Sequence, residues 1–167
     1  MAGVSPLIAV DRKKSQFVPR PGQIDYTNVR RAPTVNCVVK HDDKILIVKR
    51  SSTMRFYPDK WNGISGFLEE GRSVEEQARK EVREETGITD GEIVSLRRGR
   101  SFEFEEPMYD KQWVVNPVLV EVKTSKVKTD WEAQDHRWIT RGELGEFDIV
   151  PRFNQVVDAV LDLREML

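Results

Sequence analysis

The sequence predicts an α/β fold of the α+β kind: a mixed central β-sheet covered by helices. Three observations carry this prediction. A hairpin pattern lies in the first third, one well-capped helix lies in the middle, and several strand-length runs lead to a closing amphipathic helix. The 167 residues suit one domain, and seven Phe, four Trp and three Tyr beside ample Val, Ile and Leu suffice for a packed core.

Residues 1–32 hold Pro19 and Gly22 among scattered charges without periodicity, which reads as an extension draped over the domain or used in self-association. A homodimer stays open on that reading. From Thr34 the pattern sharpens: Val35, Cys37 and Val39 recur at every second position, His41-Asp42-Asp43 makes a turn, and residues 44–48 are a second apolar run. Together they predict a β-hairpin. Residues 51–66, with Phe56, Tyr57, Pro58, Trp61, Asn62 and Gly63, read as a loop longer than a connector needs.

Ser73 with Glu76 three residues on has capping-box spacing. Val74, Ala78 and Val82 recur every four residues, and Gly87 stands where a C-terminal cap belongs. A helix over 74–86 follows. Residues 93–96, 101–104, 112–122 and 136–139 read as strands, and Pro117 points to an edge or a bulge in the third. A short helix is expected from Thr140, which has Glu143 three residues on. Pro151 is placed as the first residue of a last helix, whose Phe153, Val156, Val157, Val160, Leu161 and Leu163 form an apolar stripe.

The charges nearly cancel, 27 Lys and Arg against 28 Asp and Glu, which argues against a polybasic nucleic-acid binder and against an acidic tail. The balance hides a split, because residues 1–60 hold twelve Lys and Arg against five Asp. The single Cys37 forms no intramolecular disulfide, and no Cys and His spacing fits a zinc site. No apolar run reaches about 18 residues, and the run 6–10 is too short for a signal-peptide core. A cytoplasmic protein without a membrane span is the expectation.

On a helical wheel Glu81 and Glu85 fall about 20° either side of Val74, and Glu84 about 80° away, whereas Lys80, Arg83 and Glu76 point the opposite way. Three carboxylates near an apolar face repel one another, and burial raises their pKa values unless cations neutralise them. A hard divalent metal is the economical cation. Oxygen-only donors favour Mg²⁺ or Mn²⁺ over Zn²⁺.

The run Gly66-Phe67-Leu68-Glu69-Glu70-Gly71-Arg72-Ser73, followed by Lys80-Glu81-Val82-Arg83-Glu84-Glu85-Thr86-Gly87-Ile88, closely resembles the signature of the Nudix hydrolases. The box covers residues 66–88, and the element order also looks like this family from about 33 to 163. The resemblance implies an α/β/α sandwich around a mixed sheet, with a Nudix hydrolase domain over 33–167. Two positions depart from the pattern: Arg72 stands where the family has Glu, and Lys80 where it has Arg. The family's opposite-charge pair between loop and helix is therefore expected to be absent.

By position, the resemblance implies that Glu81, Glu84 and Glu85 hold the metals, helped by the backbone carbonyl of Ser65, while Gly66 permits a tight approach. Many relatives add a Glu from outside the box as ligand or general base. Glu132 is the candidate here, with Trp138 following before a strand, and Glu103, Glu105, Glu106 and Asp130 compete. Arg50 matches a position that contacts substrate phosphate in relatives, and Lys60 lies in a segment that could also meet phosphates. Trp61, Tyr57 and Phe56 could stack on a base or serve as lids and core plugs.

The implied reaction is metal-assisted attack of water on a diphosphate in a nucleoside diphosphate linked to a group X, a small nucleotide substrate. A Pro or Tyr at the distance that marks the ADP-ribose and dinucleoside polyphosphate subfamilies does not occur; Pro107 and Tyr109 lie further on. Three other readings compete. Arg72 and Lys80 motivate a nucleotide-binding module with weak catalysis, and Arg97, Arg98 and Arg100 motivate an RNA 5'-end pyrophosphohydrolase. A diphosphate isomerase would need a loop cysteine, whereas Cys37 lies in a predicted strand.

Overall fold

The computed structural model describes Tyr26 and residues 28–161. The chain divides into two compact units, residues 1–30 and residues 31–167. In the first, Val29 N donates to Tyr26 O at 3.1 Å; most of the predicted extension 1–32 lies outside the described residues. Its last two residues do not. The first strand, β1, is Arg31–His41, and Ala32 is fully buried in it.

The second unit holds eight strands in one mixed sheet. After β1 come β2 (Lys44–Arg50), β3 (Trp61–Asn62), β4 (Ile64–Phe67), β5 (Ile93–Arg98), β6 (Phe102–Glu106), β7 (Lys111–Val122) and β8 (Ala133–Ile139). Among the described residues two α-helices, α1 (Val74–Thr86) and α2 (Phe153–Val160), accompany the sheet. β1 and β2 form the predicted hairpin, with His41 opposite Lys44 and Asp42 in the left-handed region at φ 54°. β1 is central: it runs parallel to β7 from Arg31 opposite Gln112 to Lys40 opposite Glu121, and on its other edge it pairs antiparallel with β4.

Both faces of β1 are buried, each against a different helix. Val35, Cys37 and Val39 pack with Val74, Ala78 and Val82 of α1. Ala32 and Val38 pack with Phe153, Val156, Val157 and Val160 of α2. This is the α/β/α sandwich that the sequence implied. Burying the three α1 residues contributes on the order of 4 kcal/mol, enough to set which way the helix faces. Cys37 is fully buried in the predicted strand, the small apolar role expected for it.

Four details depart from the sequence reading. The predicted loop 51–66 contains β3 and β4, which are too short to show an alternating pattern. β7 is an interior strand despite Pro117. That proline's carbonyl accepts from Gly99 N at 2.9 Å, where β6 has ended and β5 has not yet begun to pair, so its missing N–H faces a break in the ladder. The segment after Thr140 is a 3₁₀ helix, Arg141–Glu146, with its capping box formed by Glu143. Finally, α2 begins at Phe153 with Arg152 at φ 70° before it, so Pro151 lies outside the helix rather than at its first position. Leu163 lies outside the described residues. Among those residues no helix is long and apolar enough to cross a membrane.

Candidate metal centre

The site starts from the way α1 is capped and rolled. Ser73 Oγ accepts from Glu76 N at 3.1 Å, and Gly87, at φ 75°, ends the helix with its N–H on Arg83 O at 3.0 Å. With Val74, Ala78 and Val82 against the sheet, Gln77 and Glu85 are buried beside them, Glu81 is half-buried, and Glu84 leaves about half its side chain, 49%, in solvent. The wheel placed these three carboxylates correctly.

The environment of Glu85 and Glu81 makes these two poor anions as they stand. Burial pushes the Glu85 carboxyl well above its ordinary range, and the charges of Glu132, Glu81 and Asp130 push it the same way. Burial also raises Glu81, against hydrogen bonding from Glu85 and Gln77. Oε2 of Glu85 is buried without a hydrogen-bonding partner among the described residues. A cation is what such an oxygen lacks. Gly66 leaves the space that Glu81 fills: a Cβ there would lie 2.8 Å from Glu81 Oε2 and would overlap the rest of the carboxylate.

A second element brings more charge to the same place. Glu132 sits directly before β8, its carbonyl accepting from Ser51 N at 2.7 Å and its own N–H donating to Asp130 Oδ1 at 3.0 Å. The Glu132 carboxyl is pushed up to about 7, by burial first and then by Asp130 and Glu81, while Arg50 pulls it back. Arg50 closes β2 at a register shift in the β2–β8 pairing. Its Nε donates to Phe56 O at 2.9 Å, and burial lowers its proton affinity while Glu85 and Glu132 raise it. The structure thus gathers Glu81, Glu85, Glu132 and Arg50, with Asp130, a competitor of Glu132, as a fifth member.

Other candidates lie elsewhere or are already engaged. Glu103 pairs with Arg31 at 3.0 Å, and Glu106 accepts from Tyr57 Oη at 2.8 Å. Tyr57 sits in the left-handed region at φ 50°, held there by three hydrogen bonds: its N–H to Tyr109 Oη, its hydroxyl to Glu106, and Trp113 Nε1 to its hydroxyl. Phe56 packs edge-on to Phe67, Tyr109 and Trp113. Trp61 packs against Phe147, with ring centroids 5.1 Å apart, and Lys60 Nζ pairs with Asp148 at 3.0 Å. Phe56, Tyr57 and Trp61 are partly buried and packed against the core on the α2 side of the sheet. Ser65 stands in β4 opposite Asn36, its hydroxyl accepting from Asn62 Nδ2 at 3.0 Å.

Arg72 and Lys80 are both positive, and loop and helix are joined instead by opposite charges through a residue outside those two pattern positions. Arg72 Nε lies 2.6 Å from Glu69 Oε2, and Lys80 Nζ lies 3.2 Å from Glu69 Oε1. Lys80 Nζ also lies 3.6 Å from Glu84 Oε1. Sequence reasoning missed Glu69 because only the two pattern positions were compared.

The donor set suits a hard divalent ion: it is all oxygen, Glu85 Oε2 is left without a hydrogen-bonding partner among the described residues, and burial raises the Glu81 and Glu85 carboxyls. Among the described residues no three acidic, His or Cys side chains are yet arranged to hold a metal ion, and Glu84 is turned to Lys80.

The NUDIX domain profile matches residues 30–160, and the chain belongs to the Nudix family. Nudix hydrolase 19, chloroplastic, of Arabidopsis thaliana is 40% identical over 55 residues, 33% of this chain and 12% of that protein. The NAD-capped RNA hydrolase NudC of Stutzerimonas stutzeri (strain A1501) is 31% identical over 84 residues, 50% of this chain and 29% of that protein. The chain therefore spans less than a third of either relative. The crystal structure of the MutT protein from Methanosarcina mazei Go1 matches with a TM-score of 0.62 at 22% identity, over 78% of this chain and 93% of that one, a likeness of fold.

Proposed function

We propose that the chain is a divalent-metal-dependent hydrolase that cleaves a diphosphate linkage in a small nucleoside diphosphate–X substrate. The observation that carries the reading is the buried Glu85 carboxyl. Its Oε2 lacks a partner among the described residues, and its pKa is raised by burial first and then by the charges of Glu132, Glu81 and Asp130, while the same carboxylate raises the proton affinity of Arg50. Glu81, Glu84 and Glu85, with the Ser65 carbonyl, would hold Mg²⁺ or Mn²⁺. Such an ion, when bound, screens the diphosphate's charge and makes a water easier to deprotonate.

The chain's own residues supply the rest. Glu132, with a proton affinity near neutrality, is poised to take the proton from the attacking water. Arg50 offers charge to the substrate phosphate from the end of β2, where its backbone is fixed on both sides: its N–H donates to Lys60 O at 2.8 Å and its carbonyl accepts from Asp59 N at 3.1 Å. The family assignment supports this reaction class, as do the partial sequence matches to relatives named as hydrolases.

A second reading, cleavage at RNA 5' ends, is favoured by the name of the NudC relative. The basic cluster adds less to it, because Arg97 donates to Val160 O and Arg98 lies 3.6 Å from Glu75. A panel of nucleotides and 5'-capped RNA, with products identified by mass, tests both. The expected result is metal-dependent release of a nucleoside monophosphate that is lost in Glu84→Gln and Glu85→Gln. Full turnover in both variants overturns the metal-site assignment.

A further inference from the structure

Gln77 is fully buried on α1, one turn before Glu81. Its Oε1 accepts the backbone N–H of Glu69 in the box loop at 3.1 Å, and its Nε2 donates to Glu81 Oε1 at 2.9 Å. The amide has only one workable orientation. Flipped, its NH₂ would face an N–H and its carbonyl would face a carboxylate, so both contacts would repel. Gln77 thus passes the position of the loop on to the Glu81 carboxylate.

The side chain of Glu69 acts on the same loop from outside. Its two oxygens hold Arg72 at 2.6 Å and Lys80 at 3.2 Å, and Lys80 in turn lies 3.6 Å from Glu84. Glu69 is therefore the start of two lines. One runs through its backbone and Gln77 to Glu81, the other through its carboxylate and Lys80 to Glu84. The charged line is partly sheltered, with Glu69 and Lys80 exposing 23% and 20% of their side chains, so solvent screens it less than an open surface pair.

We infer that Glu69 and Gln77 are positioning residues for the metal ligands: Glu69 supplies the negative partner that Arg72 cannot, and Gln77 fixes the rotamer of Glu81. The inference rests on the metal-hydrolase reading. It also assigns Arg72 a partner's role in the strap, so restoring the family residue at 72 alone gains nothing.

Mn²⁺ binding to the intact chain, measured by calorimetry or by the loss of the free-ion electron paramagnetic resonance signal, tests it apart from turnover. Glu69→Gln removes the charge, and Gln77→Glu keeps shape and acceptor but removes the donor to Glu81. Each is expected to weaken Mn²⁺ binding roughly 10- to 100-fold, the usual effect of losing a residue that orients a ligand. Adding Arg72→Glu to Glu69→Gln should bring affinity back to within about threefold of wild type, because a carboxylate at 72 can again face Lys80, whereas Arg72→Glu alone should leave it within about threefold. Wild-type affinity in Glu69→Gln, or no rescue by Arg72→Glu, overturns the inference. Should Gln77→Glu fail to fold, Glu69→Gln and its rescue still decide. No Mn²⁺ binding by wild type would instead sink the metal reading itself.

Discussion

Gly66 and Glu81 share one space: a Cβ on Gly66 would come within 2.8 Å of Glu81 Oε2 and would overlap Cδ and Oε1. Gly66 does not lie in the left-handed region, so its backbone would accept alanine; the side chain would not. Gly66→Ala should therefore displace the Glu81 carboxylate and weaken Mn²⁺ binding at least tenfold, with little change in stability because the atoms that must move are the far end of a flexible side chain. Calorimetric titration and a urea melt check the two effects separately.

Stability of the metal-free protein should fall as pH rises. Glu132 is pushed from the usual 4.5 up to about 7, and Glu85 is raised well above its usual value. Between the unfolded and folded values the native chain binds more protons than the unfolded one, so their contribution is full below the unfolded pKa and lost through the folded one. Melting should drop by roughly 5–10 °C between about pH 5.5 and pH 8. Excess Mg²⁺ should restore more at the higher pH than at the lower. A melting temperature that rises across this range without metal would contradict the picture.

Neutralising the most buried carboxylate should separate stability from function. Glu85→Gln keeps the shape and removes the charge that burial opposes, so the metal-free protein should gain on the order of 1–2 kcal/mol at about pH 8. Turnover should fall at least 100-fold. Thermal melts beside initial rates test the pairing of effects.

Tyr57 and Arg50 should behave differently, although the sequence placed both near the substrate. Tyr57→Phe removes the hydroxyl that serves Glu106 and Trp113, so it should cost about 1–3 kcal/mol of stability while leaving KM within about twofold. Arg50→Lys keeps a charge but loses the planar fork, and should raise KM about tenfold with a smaller change in melting temperature. Steady-state kinetics on a substrate from the panel distinguishes them.

What was legible in the sequence followed from periodicity and local chemistry. Val74, Ala78 and Val82 fix the roll of α1, and once that is set the depths of Glu81, Glu84 and Glu85 follow from geometry alone. β1 was legible for the same reason, since Val35, Cys37 and Val39 share one face. Long-range pairing was not. Pro117 reads as an edge or a bulge because nothing local says that its partner changes from β6 to β5 beside it, and the sequence leaves Trp61 open between a base stack, a lid and a core plug because Phe147 lies far along the chain. Glu69 and Gln77 were hidden differently. Each occupies a position that the box pattern leaves unspecified, and only three-dimensional proximity gives Glu69 its two cations and Gln77 its donor and acceptor.

The strand beneath α1 carries the one thiol of the chain. Cys37 is fully buried, and burial together with the negative charge of Glu85 and Glu81 holds its proton on, so the nucleophilic thiolate does not form in the native state. Alkylating reagents and peroxide should leave this thiol untouched in the folded protein. The thiol then becomes a built-in clock: the rate at which it is labelled reports how often β1 leaves the sheet, and hence how long the floor of the acidic helix stays in place.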